Sequence, residues 1–258
     1  MDYMPDCSEH LNRATFRFHG EINDFLALER KYRHFEVTFK SNPAVKDTIE
    51  SLNVPHVEIG EILINGKIVL VSQKIKDGDQ VIVFTAPAPP ENESLAFILD
   101  VHLGKLARFL RFMGLDTLYQ NDYDDFEIIA ISIRENRTIL TRDIGILKDS
   151  KVNKGRWIRS TNPLAQLQEV VAYFNLCGKV NPFSRCAICN GRLVRTSKEQ
   201  VIKELAENTR KYFDEFTRCE SCGKLYWKGS HFQKINSLIK KVCETPKVQN
   251  RKTDEFIR

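Results

Sequence analysis

The chain has 258 residues, of which 42% are apolar and 28% charged, and its formal net charge is +5. That balance is globular and excludes a disordered chain, and the length favours two or more modules. No apolar run approaches the roughly 18–20 residues that span a bilayer. The polar start, with Asp2, Asp6, Glu9 and His10, lacks the layout of a secretion signal, so membrane and export roles are set aside.

The charge is uneven. Residues 1–90 carry −3, residues 91–178 carry −1 and residues 179–258 carry +9. A basic final third points to a polyanionic partner, nucleic acid foremost, although a lysine-rich solvated face has the same composition. Of the seven cysteines, Cys7, Cys177 and Cys243 are scattered and odd in number, which fits a reducing cytoplasm and not a disulfide framework.

In chain order, 14–18 and 35–39 alternate apolar and polar residues as half-buried strands do. A short helix over 43–52 follows, with Ser41 or Asn42 as N-cap and Pro43 near its first turn. Residues 61–64 and 67–71 flank Asn65-Gly66, the signal of a tight hairpin, and Asp77-Gly78-Asp79 leads to a last strand over 80–84. Two strands, a helix and several further strands make the order of a β-grasp module. A carrier role would need a free C-terminal Gly-Gly, whereas this module runs on into Thr85-Ala86-Pro87, which leaves docking of a protein partner or orientation of a substrate.

The Pro- and Glu-containing stretch 87–94 reads as a semi-rigid linker. Beyond it strands and helices alternate, the pattern of a parallel sheet. Strands are expected over 95–99, 115–120, 138–141 and 157–158. Helices are expected over 103–113, with Lys105, Arg108 and Arg111 on its polar side, over 125–134, and from Asn162-Pro163 to near Gly178.

Cys186-x-x-Cys189 and Cys219-x-x-Cys222 each present two sulfurs from one tight turn, with Asn190-Gly191 and Gly223 supplying flexible backbone. Four thiolates close a tetrahedral shell around Zn²⁺ and leave no position for a substrate, so the site is read as structural. Redox dithiols are the alternative. The 29 intervening residues exceed a minimal ribbon, and 198–208 reads as a helical insertion.

Asp100 ends the first strand of the parallel unit and Asp143 follows a later one, at the sheet edge where ligands bind in open α/β folds. Asp125, with Asp124 beside it, opens the intervening helix. Asp149 is a further candidate, and Asp116 and Asp122 are weaker ones. Converging carboxylates need a cation, and hard oxygen ligands suit Mg²⁺ or Mn²⁺. Taken singly, each aspartate also fits a cap or turn, above all Asp124 and Asp125. Arg108, Arg111 and Arg142 suit phosphate binding, or equally solvation and ion pairing. His231 suits an RNA contact, an extra ligand or a helix-end polar position. Tyr226 and Trp227 suit base stacking or packing on the knuckle.

The run 97–100, then 104–114 (Gly104-Lys105-Leu106-Ala107-Arg108-Phe109-Leu110-Arg111-Phe112-Met113-Gly114), Asp125 and Leu140-Thr141-Arg142-Asp143 resembles the Mut-7 C-terminal RNase family. Arg185-Cys186-x-x-Cys189-Asn190, Cys219-x-x-Cys222 and 226–231 (Tyr226-Trp227-Lys228-Gly229-Ser230-His231) resemble its zinc ribbon. Residues 14–85 resemble the ubiquitin-like module often fused ahead of it. The resemblance implies a PIN-like α/β nuclease cleaving RNA with a metal, and by position Asp100, Asp125 and Asp143 carry over as acidic ligands. The expected modules are a β-grasp unit at 12–86, the linker at 87–94, the nuclease at 95–178, the zinc ribbon with helical insertion and C-terminal helix at 179–243, and a tail at 244–258. The expected activity is a cytoplasmic metal-dependent ribonuclease. A non-catalytic RNA-binding or assembly protein with the same shell, and a DNA-binding zinc protein, are the competing readings.

Overall fold

The computed structural model describes residues 11–90, 93 and 95–244. The polar start with Cys7, the linker residues Glu91, Asn92 and Ser94, and all of the expected tail except Glu244 lie outside the described residues. The chain divides into two compact units, Met1–Pro87 and Ala88–Arg258.

The first unit contains β1 (Asn12–His19), β2 (Phe35–Phe39), α1 (Val45–Ser51), β3 (Ile59–Ile64), β4 (Lys67–Val69) and β5 (Gln80–Thr85). They form one sheet of order β2-β1-β5-β3-β4, in which β1 and β5 run parallel and the other pairs antiparallel. The alternation read in β1 puts Ala14, Phe16 and Phe18 into the core, where Val45 and Ile49 of α1 are also buried. Asn65 and Gly66 take φ values of 50° and 77°, the left-handed pair that a two-residue hairpin needs. The cap of α1 is Ala44, without a side-chain bond, instead of Ser41 or Asn42.

The second unit begins with β6 (Ala96–Leu99), a 3-10 turn over Val101–Leu103, α2 (Gly104–Phe112), β7 (Asp116–Leu118), α3 (Asp125–Glu135), β8 (Thr138–Thr141), α4 (Ile144–Lys148), β9 (Gly155–Trp157) and α5 (Pro163–Tyr173). Its sheet has the order β7-β6-β8-β9 and is parallel throughout. All four residues of β8 are buried, as expected where helices cover both faces of a parallel sheet. Asn162 caps α5 by accepting from Leu164 N and Ala165 N, with Pro163 at the first helical position.

The same unit continues through β10 (Leu193–Thr196), α6 (Lys198–Val201), α7 (Glu207–Tyr212), β11 (Phe216–Cys219), β12 (Leu225–Trp227) and α8 (Ser230–Glu244). β10, β11 and β12 make a small antiparallel sheet. Ile235, Ile239 and Val242 of α8 join Leu106 and Leu110 of α2 and Leu167 and Val170 of α5 in one core.

Two expectations are corrected. The insertion at 198–208 is not one helix but two short helices with a 3-10 turn between them, the second running on to Tyr212, and Val201 and Leu205 pack with Phe216 in a small cluster. Cys177 and Cys243, expected to be free, are joined in a disulfide across a sequence separation of 66. Their pairing follows from α8 folding back onto the α5 end of the core, a proximity that spacing along the chain does not reveal.

Candidate active site

At the C-terminal edge of the parallel sheet an open cleft of about 390 Å³ is lined by Asp100, Val101, His102, Tyr123, Asp125, Arg142, Asp143 and Ile144. Asp100 leaves the end of β6 and is only 4% exposed. Its Oδ2 accepts a 2.9 Å hydrogen bond from the Thr141 hydroxyl at the end of β8. The same hydroxyl accepts from the backbone N–H of Asp143 at 2.8 Å, so one buried side chain sets the spacing of two acidic residues. Asp143 Oδ1 in turn caps α4 by accepting from Gly145 N. Asp125, at the first position of α3, is more exposed. Its carboxyl is pushed above the usual carboxylate range by burial and by the negative charges of Asp143, Asp100 and Asp124.

The remaining acidic candidates do different work. Asp124 is the N-cap of α3 and forms a capping box with Glu127. Asp149 ends α4 and accepts from Lys151 N. Asp116 is clamped by Arg137 at 2.7 Å, Arg185 at 3.0 Å and Asn190 at 2.8 Å. None of these, nor Asp122, lines the cleft.

The basic candidates also separate. Lys105 and Arg108 are solvent-exposed on α2, as expected. Arg111 is corrected: it is 3% exposed, and its guanidinium donates to the carbonyls of Thr117, Tyr119, Ala187 and Ile188. Arg142 lines the cleft, yet its Nη1 is held by the carbonyls of Ile158, Arg159 and Ser160. His231, in the first turn of α8, is exposed, with its ring edge-on to Phe112.

The four knuckle cysteines form a separate centre. Their sulfurs lie within 4.8 Å of one another, with Cys186 and Cys222 3.6 Å apart and Cys189 and Cys219 3.4 Å apart. A tetrahedral Zn²⁺ at about 2.3 Å from each sulfur separates them by about 3.8 Å, so this donor set fits that ion. Asn190 sits in the left-handed region at φ 68°. At Gly191 an added Cβ would come within 2.9 Å of Cys219 Sγ, so the bare backbone is a packing requirement. Burial pushes the Cys186 thiol up, but hydrogen bonds from Tyr226 Oη and from the N–H groups of Cys189 and Ile188 outweigh it, and the result is about 7. Cys189 is pushed up to about 12, first by burial. Tyr226 thus packs on the knuckle, accepting from Ala187 N and facing Cys186 Sγ at 3.1 Å. Among the described residues the cysteines alone form such a group; the three aspartates line one cleft.

The model of the Mut7-C RNAse domain matches residues 95–239, more than half of the chain. This chain belongs to the Mut7-C RNAse family. The Mut7-C ubiquitin model matches residues 11–91, ahead of the nuclease. No curated protein matches the chain. The solution structure of the Haloferax volcanii HVO 2177 protein is 20% identical, covering 35% of this chain and 97% of its own, and its TM-score of 0.28 is too low to carry an argument.

Membership in the Mut7-C RNAse family supports a nuclease role directed at RNA. Thr141, in sequence a strand residue and part of the Leu140-Thr141-Arg142-Asp143 run, bridges Asp100 and Asp143 through its hydroxyl. Tyr123 in the cleft wall carries no signal in the sequence, and Asn190, legible there as knuckle backbone, has in addition a side chain that links Thr117 N to Asp116.

Proposed function

We propose that this chain is a metal-dependent ribonuclease that hydrolyses RNA phosphodiester bonds in the cleft lined by Asp100, Asp125 and Asp143. In this reading Mg²⁺ or Mn²⁺ serves catalysis and Zn²⁺ at Cys186, Cys189, Cys219 and Cys222 is structural. The observation that carries it is that Asp100, Asp125 and Asp143 line one cleft of a Mut7-C RNAse chain, where burial first, and then the charges of Asp143 and Asp100, push the Asp125 carboxyl upward. A cation relieves that repulsion. Mg²⁺ suits such a cleft, because it keeps several waters and takes few direct carboxylate bonds.

When bound, such an ion supplies an activated water and stabilises charge developing on the phosphate oxygens. Asp100 is fixed by Thr141, so one carboxylate oxygen is committed to positioning and the other remains for a ligand. Lys105 and Arg108, exposed on the helix that starts beside the cleft, are the proposed phosphate contacts, with His231 as a further RNA contact. The ubiquitin-like module is assigned the docking of a protein partner.

A second reading, an RNA-binding or assembly protein that keeps this shell, draws its support from the basic final third, which suits an RNA contact with or without cleavage. The deciding experiment incubates labelled structured and unstructured RNA with the full chain and Mn²⁺, with and without EDTA, beside Asp143→Asn. Mn²⁺-dependent cleavage, lost with EDTA and reduced about 10²–10³-fold by the substitution, is expected. Cleavage indifferent to both overturns the metal mechanism, and binding without any cleavage selects the second reading.

A further inference from the structure

Between the cysteine centre and the acidic cleft runs an unbroken set of hydrogen bonds. Arg111 Nη1 donates to Ile188 O at 2.7 Å and to Ala187 O at 3.3 Å, the two carbonyls inside the Cys186–Cys189 knuckle. Its Nε donates to Thr117 O at 2.9 Å and its Nη2 to Tyr119 O at 3.3 Å. The Tyr119 hydroxyl shares its proton between Val101 O at 2.9 Å and Asn121 Oδ1 at 2.6 Å. Val101 follows Asp100 directly, and the turn it opens is closed by Leu103 N donating to Asp100 O at 2.9 Å. Gly104 makes room for this arrangement, because a Cβ there would meet Tyr119 Oη at 2.6 Å.

From this geometry we infer that Arg111 and Tyr119 are positioning residues, through which closure of the cysteine knuckle around its metal sets the turn that carries Asp100, Val101 and His102 into the cleft. The inference rests on the cleft being the reaction site proposed above. Its physical basis is that a knuckle carbonyl accepts a good bond from Arg111 only when the Cys-x-x-Cys loop is folded. A guanidinium 3% exposed has no water to replace a lost partner. Release of the knuckle therefore frees Arg111, loosens Tyr119 and lets the turn after β6 open. The Asn190 side chain, directly after Cys189, also ties the knuckle to the outer strand by accepting from Thr117 N and donating to Asp116, beside the Arg111 bond to Thr117 O.

The test uses the full chain and two substitutions, Tyr119→Phe, which removes one hydroxyl, and Gly104→Ala, which crowds it. Amide exchange over residues 101–104 is measured alongside Mn²⁺ binding followed by its electron paramagnetic resonance signal and the metal content of the cysteine centre. Exchange at the Leu103 amide is expected to rise about tenfold in Tyr119→Phe, the cost of one hydrogen bond. Mn²⁺ affinity should fall while one metal per chain stays on the cysteines, and stripping that metal from the unsubstituted chain should raise the same exchange. Unchanged exchange in Tyr119→Phe overturns the relay. Exchange that responds to the substitution but not to stripping overturns its link to the knuckle. If the unsubstituted chain binds no Mn²⁺ while the exchange responses are as expected, the relay stands and the ribonuclease reading falls.

Discussion

A threonine hydroxyl has one proton and two lone pairs, and at Thr141 the proton goes to Asp100 and a lone pair to the Asp143 amide. Replacing it with valine keeps the shape but leaves the buried Asp100 carboxylate and the part-buried Asp143 amide unmatched. Thr141→Val is expected to lower stability by about 1–3 kcal/mol and to weaken Mn²⁺ binding, while Thr141→Ser retains both. Denaturant midpoints and Mn²⁺ titration check this. Asp124 offers the contrast: beside Asp125 in sequence, it is occupied with capping α3. Asp124→Ala is expected to cost about 1 kcal/mol of stability with Mn²⁺-dependent cleavage unchanged, read from thermal unfolding and an RNA assay on the same preparation.

Among the elements, β7 is where the parallel sheet meets the cysteine knuckle. Its Asp116 bonds Arg137, Arg185 and Asn190, and Asn190 also accepts from Thr117 N, so the residue after Cys189 continues the edge of the strand. Burial pushes the Asp116 carboxyl up, but the hydrogen bonds from Arg137 and Asn190 and the charges of Arg137 and Arg185 prevail, and it ends below the ordinary value of 3.8. A carboxyl lowered in the folded state adds stability above its unfolded value and loses it as pH falls through the folded one. The stability difference between the unsubstituted chain and Asp116→Asn is therefore expected to be full well above pH 3.8 and to shrink only below it. Paired unfolding curves across pH measure it; a difference that does not change with pH contradicts the clamp.

At the level of the whole chain, charge and metal act together. The final third carries +9, and an RNA contact built on it releases counterions. The affinity is therefore expected to fall by orders of magnitude between about 50 and 200 mM salt if six or more phosphates are neutralised. Filter binding over a salt series checks this, and a flat response contradicts a basic RNA surface. Chelation of the cysteine metal is expected to unfold the small antiparallel sheet, followed by loss of β-structure in circular dichroism, because the ion is what ties the Cys186–Cys189 turn to the Cys219–Cys222 turn.

Much of this molecule is legible in linear order. Alternation in β1, the Asn65-Gly66 turn, the apolar runs of β6 and β8 and the Cys-x-x-Cys pairs are local signals, since period, turn conformation and ligand spacing act over a few residues. They locate the strands, the cysteine centre and the edge on which Asp100 and Asp143 stand. What neighbouring residues cannot express is which polar groups the fold buries and pairs. Helix period alone puts Arg111 on a solvated face, but the knuckle from 76 residues away covers it and supplies its acceptors. Asp124 and Asp125 are adjacent and alike, and only the direction in which α3 starts sends one to a cap and the other to the cleft. Cys177 and Cys243 meet because α8 folds back on the core. Contacts of this kind join distant stretches of chain, and their strength comes from exclusion of water, which arises only once the domain has closed.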